Sequence, residues 1–531
     1  MDLQKYYYSY AMDDPAVVYL ALALASLLFI SLLSRRRRRS PGAEGGEKLR
    51  LPPGPWTLPI IGSMHHIAGR QLPHQAMRNL ARRHGWPVML LRLGEVPTLV
   101  VSSRAGAREV MRGHDASFAT RPLSATVSVL TNGGRDIIFA PYGEHWRQLR
   151  KIAVTELLTA RRVRSFRSIR EEEVNAMLRA VNAAAVDSVS IDMRAMLSVL
   201  VADSTVRAVM GDRCKDRDVF LRELDRSIGL AAGFNPADLW PSSRVAAWVS
   251  GSVSRAQECR DIVFGILDRI IAEHLKRMND DTGKENAGAE EDLIDVLLRI
   301  QRDGELPLDM DSIKAVVFDI FGAGSETSAT TLEWVIAELV KNPKVMKRAT
   351  AEVRQAFEAG GKVVEEQLGE AVPYLHLVIR ETFRLHTPLP LLLPRECREP
   401  CKVLGYDVQP GTQVLVNVWA LGRDEKYWPD GPEEFRPERF EAATDAAKVD
   451  FRGSDFELLP FGAGRRMCPG MGFGLANVEL ALASLLLHFD WEAPGLADPA
   501  EFDMTEAFGI TARRKAGLLL RPVLRVPVPG I

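Results

Sequence analysis

The sequence predicts a mainly α-helical protein with a smaller β region (an α+β fold), preceded by an apolar helix at its N-terminus. Three observations support this prediction. Residues 154–271 are mostly amphipathic at helical spacing, residues 311–341 form one long helical run that ends at Asn342-Pro343, and the clearest strand signal is a short hairpin at 88–93 and 98–101. We therefore expect a large helical body that carries small sheets.

Composition narrows the possible classes of protein. With 68 basic and 69 acidic residues the charge is nearly balanced, which argues against a nucleic-acid-binding protein. No break in composition follows the first fifty-odd residues, so we expect one domain over residues 56–531. The five cysteines are odd in number and scattered, which argues against a disulfide framework and suits a reducing compartment; they are Cys214, Cys259, Cys397, Cys401 and Cys468. A metal pair at Cys397 and Cys401 is disfavoured, because no further ligands lie nearby.

The N-terminal segment predicts a membrane anchor. Residues 16–33 are apolar and, as a helix, would reach about 27 Å, roughly one hydrocarbon core. Arginines occupy positions 35–39 directly after this run, so the positive-inside rule places the rest of the chain on the cytoplasmic side. A cleaved signal peptide has the reverse order, and a buried core helix does not fit beside five arginines. We assign residues 1–39 to the anchor and 40–55 to a flexible linker with a proline-rich hinge.

The decapeptide 461–470 (FGAGRRMCPG) is the segment from which we infer chemistry. A lone cysteine is most often a small core residue, and Cys468 by itself would carry no more than that reading. Three glycines around it, however, let the backbone turn sharply and present N–H groups to one sulfur. Arg466 is placed to neutralise an acidic group on the ligand that this sulfur would bind. A structural zinc site is disfavoured, since no CxxC or HExxH motif accompanies Cys468.

Two further segments carry polar groups in unusual places. Trp146 and Arg150 are four residues apart on one helical face and can both bind a carboxylate, although such a pair is commonly a surface stack. The central helix contains GAGSETS at 322–328, which lowers its helical propensity. Either the glycines permit a close helix crossing, or a local opening admits O₂ and water with Glu326 and Thr327 in a proton chain.

These motifs together resemble those of the cytochrome P-450 family, the haem-thiolate monooxygenases. The decapeptide fits FxxGxRxCxG, residues 323–328 fit [AG]Gx[DE]T[TS], residues 381–384 fit ExxR, and 437–440 read PERF. The resemblance implies a cytochrome P-450 fold in which Cys468 is the axial ligand of haem iron. It also implies oxygen activation by Thr327 and Glu326, a structural triad of Glu381, Arg384 and Arg439, and haem contacts from Phe461, Gly462, Trp146, Arg150, Arg395 and Arg466.

The same resemblance implies a function. We expect a monooxygenase of the plant microsomal class, anchored in the endoplasmic reticulum membrane by one helix, that contains haem b and uses O₂ and NADPH, with electrons from an NADPH-dependent flavoprotein reductase. Apolar segments predict a terpenoid substrate in specialised metabolism; an aromatic or indole-derived metabolite is the alternative. A haem sensor or ligand carrier, or a tethered protein with an inert cysteine, are the rival classes. The expected pocket residues, which plain core packing would also explain, are Val317, Phe321, Ala323, Leu389, Leu391, Phe508 and Ile510.

Overall fold

The computed structural model describes residues 49–211, 216–280, 291–304, 308–507 and 509–530. The predicted anchor and most of the linker lie outside these residues, as does Phe508. In chain order the helices are α1 (Pro73–His84), α2 (Arg104–Arg108), α3 (Ala125–Leu130), α4 (Glu144–Ile152), α5 (Ala160–Ser165), α6 (Arg167–Val186), α7 (Met193–Met210), α8 (Arg217–Ala231), α9 (Pro236–Leu239), α10 (Arg244–Ser250), α11 (Ser252–Asp280), α12 (Leu293–Asp303), α13 (Met310–Lys341), α14 (Pro343–Phe357), α15 (Leu368–Ala371), α16 (Pro373–Leu385), α17 (Val418–Leu421) and α18 (Met471–His488).

Short strands form three small sheets in the described ranges. The strands are β1 (Val88–Leu93), β2 (Val96–Val101), β3 (Ile191–Asp192), β4 (Arg395–Glu396), β5 (Cys401–Val403), β6 (Tyr406–Val408), β7 (Gln413–Val416), β8 (Phe489–Glu492) and β9 (Leu519–Leu524). The sheet orders are β1-β2-β7-β4, β3-β9-β8 and β5-β6. β1 and β2 are antiparallel, with Val88 opposite Val101, so the predicted hairpin is confirmed; β2 begins two residues earlier than predicted.

The long helix α13 is the centre of the molecule. It packs against α7, α16 and α18, and two apolar clusters meet along it. Asp309 caps its N-terminus by accepting from the Ser312 N–H, and Pro343 stops its C-terminus. α18 is the one described helix that is long and apolar enough to cross a membrane, and 67% of it is buried inside the protein, as expected of a core helix.

Two sequence expectations are wrong. The polar composition of residues 274–291 predicts a loop, but residues 274–280 complete α11, because His274 is buried and contacts Asp292 of the α12 cap at 2.9 Å. The prolines of segment 388–394 predict an extended chain, but the segment turns: the Leu392 N–H donates to the Leu389 carbonyl, and Leu392 has a φ of 52°. Arg121 fixes this turn by donating to the carbonyls of Leu393 and Pro394.

Candidate active site

A cavity of about 340 Å³ lies between the middle of α13 and the loop that carries Cys468. Its size is that of a small-molecule site, and its walls are mostly apolar. All nine residues predicted for oxygen activation or haem binding line this cavity; they are Thr327, Glu326, Cys468, Trp146, Arg150, Arg395, Arg466, Phe461 and Gly462.

The loop before α18 presents Cys468 to the cavity. Gly462 and Gly464 have φ values of 67° and 69°, which favour glycine, and the Cys468 N–H donates to the Phe461 carbonyl at 3.0 Å. The thiol is deep in the protein, so its large accessible surface faces the cavity and not bulk solvent. Burial raises the pKa of Cys468, whereas the Gly470 N–H and Arg150 act to lower it. A thiolate at Cys468 would therefore need a cation against it, and a haem iron would supply one.

A cluster of cations and N–H donors lines the same cavity. Trp146 Nε1 donates to the Ile137 carbonyl at 3.0 Å, Arg466 Nε to the Ala119 carbonyl at 2.6 Å, and Arg395 Nη2 to the Ala463 carbonyl at 2.7 Å. Burial, with repulsion from Arg395, lowers the pKa of Arg466 to about 9.

Arg150 differs from the other members of this cluster. Within the part of the chain that the structure describes, its guanidinium makes no hydrogen bond or salt bridge, although burial lowers its pKa. Arg150 is half-buried, and a cation that is partly removed from water is stabilised by a carboxylate partner. A cysteine thiol with this cluster beside it fits haem, which carries an iron atom and two carboxylates.

The opposite wall is the middle of α13. Thr327 Oγ1 donates to the Ala323 carbonyl at 2.8 Å, and the helix is continuous across 322–328, so the predicted opening is not present as a break. Both glycines lie at close contacts: a Cβ at Gly322 would approach Leu224 to 3.0 Å, and one at Gly324 would approach Thr205 to 3.3 Å. The close helix crossing that the sequence left open is therefore present.

Glu326 has partners that the sequence did not suggest. Its Oε1 accepts from Arg513 Nε at 2.6 Å and from the Thr511 hydroxyl. Arg513 also donates to Asp225 of α8 at 2.8 Å, so it joins α8, α13 and the C-terminal segment. The one sequence feature that could have suggested a cationic partner for Glu326 was the basic triplet 513–515, directly after the predicted apolar hairpin tip. An isolated bridge between Glu506 and Arg514 closes that hairpin.

The predicted substrate residues divide into two groups. Three of them line the cavity: Ala323, Leu389 and Ile510. Three others do not, so their prediction as pocket residues is wrong: Val317, Phe321 and Leu391. Val317 and Phe321 are four apart on α13 and face the core, where Phe321 meets Phe220 edge-on at 4.7 Å. Leu391 packs against the cluster that contains β1. Lining residues that the sequence missed include Val127, Leu130, Phe139, Leu224, Ile228 and Phe318.

The structure also brings together the three predicted structural residues. The Glu381 carboxylate accepts from Arg384 Nε at 2.8 Å, Arg384 Nη2 at 2.7 Å and Arg439 Nε at 2.8 Å. Arg384 continues to the carbonyls of Gly422 and Pro432, so the triad ties the 422–439 segment to α16. Its link to the cysteine loop is an aromatic cluster, in which Phe383 contacts Phe461 at 5.2 Å.

Comparison with known proteins decides the family. The family model for cytochrome P-450 matches residues 52–520. The chain belongs to the cytochrome P-450 family. It is 48% identical to zealexin A1 synthase of Zea mays (97% of this chain, 99% of the relative) and 48% identical to dolabradiene monooxygenase of Zea mays (95% and 98%). Among solved structures, a zebra fish cytochrome P-450 with progesterone superposes with a TM-score of 0.72 at 27% identity, covering 86% of this chain and 100% of that one.

Proposed function

We propose that this cytochrome P-450 is a haem-thiolate monooxygenase that hydroxylates an apolar terpenoid in plant specialised metabolism. The observation that carries the proposal is that the Cys468 thiol and the Thr327 hydroxyl line one cavity, whose remaining surface is largely apolar. A ligand carrier or sensor needs no hydroxyl and carboxyl pair on the wall that faces the cysteine.

Each site residue has a definite part in this proposal. Cys468 would bind the iron, and Arg150, Trp146, Arg395 and Arg466 would hold the haem carboxylates. Bound haem b supplies O₂ activation and the two-electron oxidation of a C–H bond.

The protons are assigned to α13. Thr327 would donate one proton at its Oγ1, since the backbone carbonyl of Ala323 holds this hydroxyl in place. The replacement proton would come from water and be taken up by the Glu326 carboxylate, whose contact with Arg513 leads to the exposed Asp225.

The substrate class follows from the walls of the cavity. The charged side chains that line the cavity are four cations and two acids. The two acids, Asp319 and Glu326, lie on α13 and already have hydrogen-bond partners. The cations are Arg121, Arg150, Arg395 and Arg466. The space between them is bounded by side chains such as Val127, Leu130 and Phe318. An apolar cavity of this kind favours a hydrocarbon over a charged compound. One relative is named dolabradiene monooxygenase, and the name of its substrate is that of a diene.

The proposal includes a partner and a membrane. Electrons would come from an NADPH-dependent flavoprotein reductase, and exposed Lys151 on α4 is one cation available to an acidic partner surface. Residues 16–33 would anchor the chain in the endoplasmic reticulum membrane, with residues 56–531 as one catalytic domain on the cytoplasmic face.

The test is reconstitution of the full chain with the reductase, NADPH and a panel of substrates. A terpene panel is expected to give products that contain one added oxygen, with matching NADPH consumption. Turnover confined to aromatic or indole compounds would establish the alternative substrate class. Haem incorporation without any turnover would support the sensor or carrier, and failure to bind haem would refute the proposal.

A further inference from the structure

The loop 136–140, between α3 and α4, forms part of the cavity wall and is held by two buried carboxyl groups. Asp319 of α13 reaches the loop, and its Oδ2 accepts from the N–H groups of Ile137 at 2.8 Å and Ile138 at 2.9 Å. Asp136, within the loop, accepts from the Phe139 N–H at 3.0 Å through Oδ1. Asp136 is 1% exposed and Asp319 is 7% exposed.

One oxygen of Asp136 has no hydrogen-bond donor. Asp136 Oδ2 is buried and accepts from no N–H or hydroxyl group in the described residues. The Asp136 and Asp319 side chains interact directly with each other. Two ionised carboxylates in contact repel one another, so one of them must carry a proton. Burial raises the pKa of both groups, and the charge of Asp136 raises the pKa of Asp319 further.

The carbonyl oxygens of the same loop accept from Trp146, Arg466 and Arg121. The Ile137 carbonyl accepts from Trp146 Nε1 at 3.0 Å and from Arg466 Nη1 at 3.3 Å. The Ile138 carbonyl accepts from Arg466 Nη1 at 3.3 Å and from Arg121 Nε at 3.3 Å. Backbone N–H groups of this loop therefore face two acids, while its carbonyls face Arg121 and two of the donors that we assign to the haem carboxylates, Trp146 and Arg466.

Charged groups around the pair come from four other parts of the chain. Arg121 and Arg466 act on Asp136, Arg395 lies beyond them, and Arg150 of α4 acts on Arg466. These cations favour ionisation of the acid nearer to them, Asp136, and leave the proton closer to Asp319. Haem held by these cations would add two carboxylates to the same group of charges.

We propose that Asp136 and Asp319 share one proton, and that this hydrogen bond is the device that positions the 136–140 loop between α13 and the cation cluster. Both acids are positioning residues: they act on the cavity through the loop and do not touch the reacting atoms. The proposal goes beyond the monooxygenase function and does not depend on the identity of the substrate, because its tests measure a proton and a stability.

Two substitutions separate the proton from the packing. In Asp319→Asn the amide oxygen still accepts from Ile137 and Ile138, and the amide N–H₂ donates to Asp136 Oδ2 without any proton exchange. In Asp319→Leu the volume is similar, but both loop N–H groups lose their acceptor. Asp311→Asn, at an exposed acid of the same helix, is the matched control.

The raised pKa of the folded carboxyl pair decides whether folding stability rises or falls with pH. Unfolded Asp319 ionises near pH 4, whereas the folded pair keeps its proton, so the wild type loses folding stability as the pH rises toward the pKa of the folded pair. Where the folded protein binds one proton more than the unfolded chain, the folding equilibrium constant falls about tenfold for each unit by which the pH rises. Asp319→Asn lacks this loss.

The experiment uses the holoenzyme at about pH 5 to 8. The thermal midpoint of Asp319→Asn is expected to match that of the wild type at the acid end and to exceed it increasingly toward the alkaline end. Asp319→Leu is expected to melt below Asp319→Asn at every pH. Infrared difference spectra are expected to show a protonated carboxyl C=O band in the wild type and in Asp311→Asn that is missing in Asp319→Asn.

Two results would overturn the proposal. One is parallel melting curves for the wild type and Asp319→Asn across the pH range. The other is an unchanged carboxyl band in Asp319→Asn. Either result leaves the proposed monooxygenase function intact, since turnover is not among these readouts.

Discussion

Replacement of Glu381 by glutamine tests whether the buried triad holds the structure. Glu381 and Arg384 are 0% exposed and the Arg439 side chain is 4% exposed, and the Glu381 carboxylate also accepts from the Arg436 backbone N–H at 2.9 Å. Glu381→Gln keeps the side-chain volume and removes the charge, so two guanidinium groups are left buried without their counter-charge. Removal of one partner from a buried ion pair costs about 3–5 kcal/mol.

This cost converts into a thermal shift. The entropy of unfolding is about 2.1 cal/mol/K per residue, so a domain of this length has about 1 kcal/mol/K. The midpoint of Glu381→Gln is therefore expected to fall by about 3–5 °C. Calorimetry of the haem-loaded protein measures the shift, and the carbon monoxide difference spectrum measures how much haem remains ligated by thiolate.

A matched control is available on the surface. Arg82 and Glu425 also form a 2.8 Å pair, but their side chains are 56% and 64% exposed. Exposed pairs contribute little, and Glu425→Gln is expected to change the midpoint by less than about 1 °C. If Glu381→Gln shifted the midpoint no more than Glu425→Gln does, the triad would not hold the 422–439 segment in the way that its hydrogen bonds indicate.

Two further predictions concern the cavity itself. Cys468→Ala is expected to lose haem and with it the red-shifted carbon monoxide band; full haem content in this variant would disprove the ligand assignment. Thr327→Ala is expected to consume NADPH with little product, because the Oγ1 proton is lost, whereas Thr327→Ser keeps a hydroxyl and is expected to keep most of the coupling. Equal coupling in Thr327→Ala and the wild type, measured as product per NADPH, would contradict proton donation by this residue.

The sequence was most informative where local chemistry is constrained. Glycines beside Cys468 predicted a sharp turn, and the structure has left-handed backbone at Gly462 and Gly464. The predicted span of α13, 311–341, differs from the observed one by one residue at its start. Its end was predicted correctly because Asn342-Pro343 stops a helix. Both features depend only on neighbouring residues.

Predictions that needed a partner from elsewhere in the chain were less successful. Val317 and Phe321 were placed in the pocket, but helical spacing gives the residues that share a face and not the direction in which that face points. The partners of Glu326 come from residues 511 and 513, about 185 positions away, and no spacing rule connects them.

By itself, the sequence determined the cysteine loop, the central helix and the family to which they point, because turns, helix stops and short motifs are decided by adjacent residues. Only the tertiary structure decided which residues face the cavity, that Arg513 pairs with Glu326, and that Asp136 lies against Asp319. Those contacts join segments far apart in the chain, and their energies come from burial and charge, which exist only once the segments are packed together.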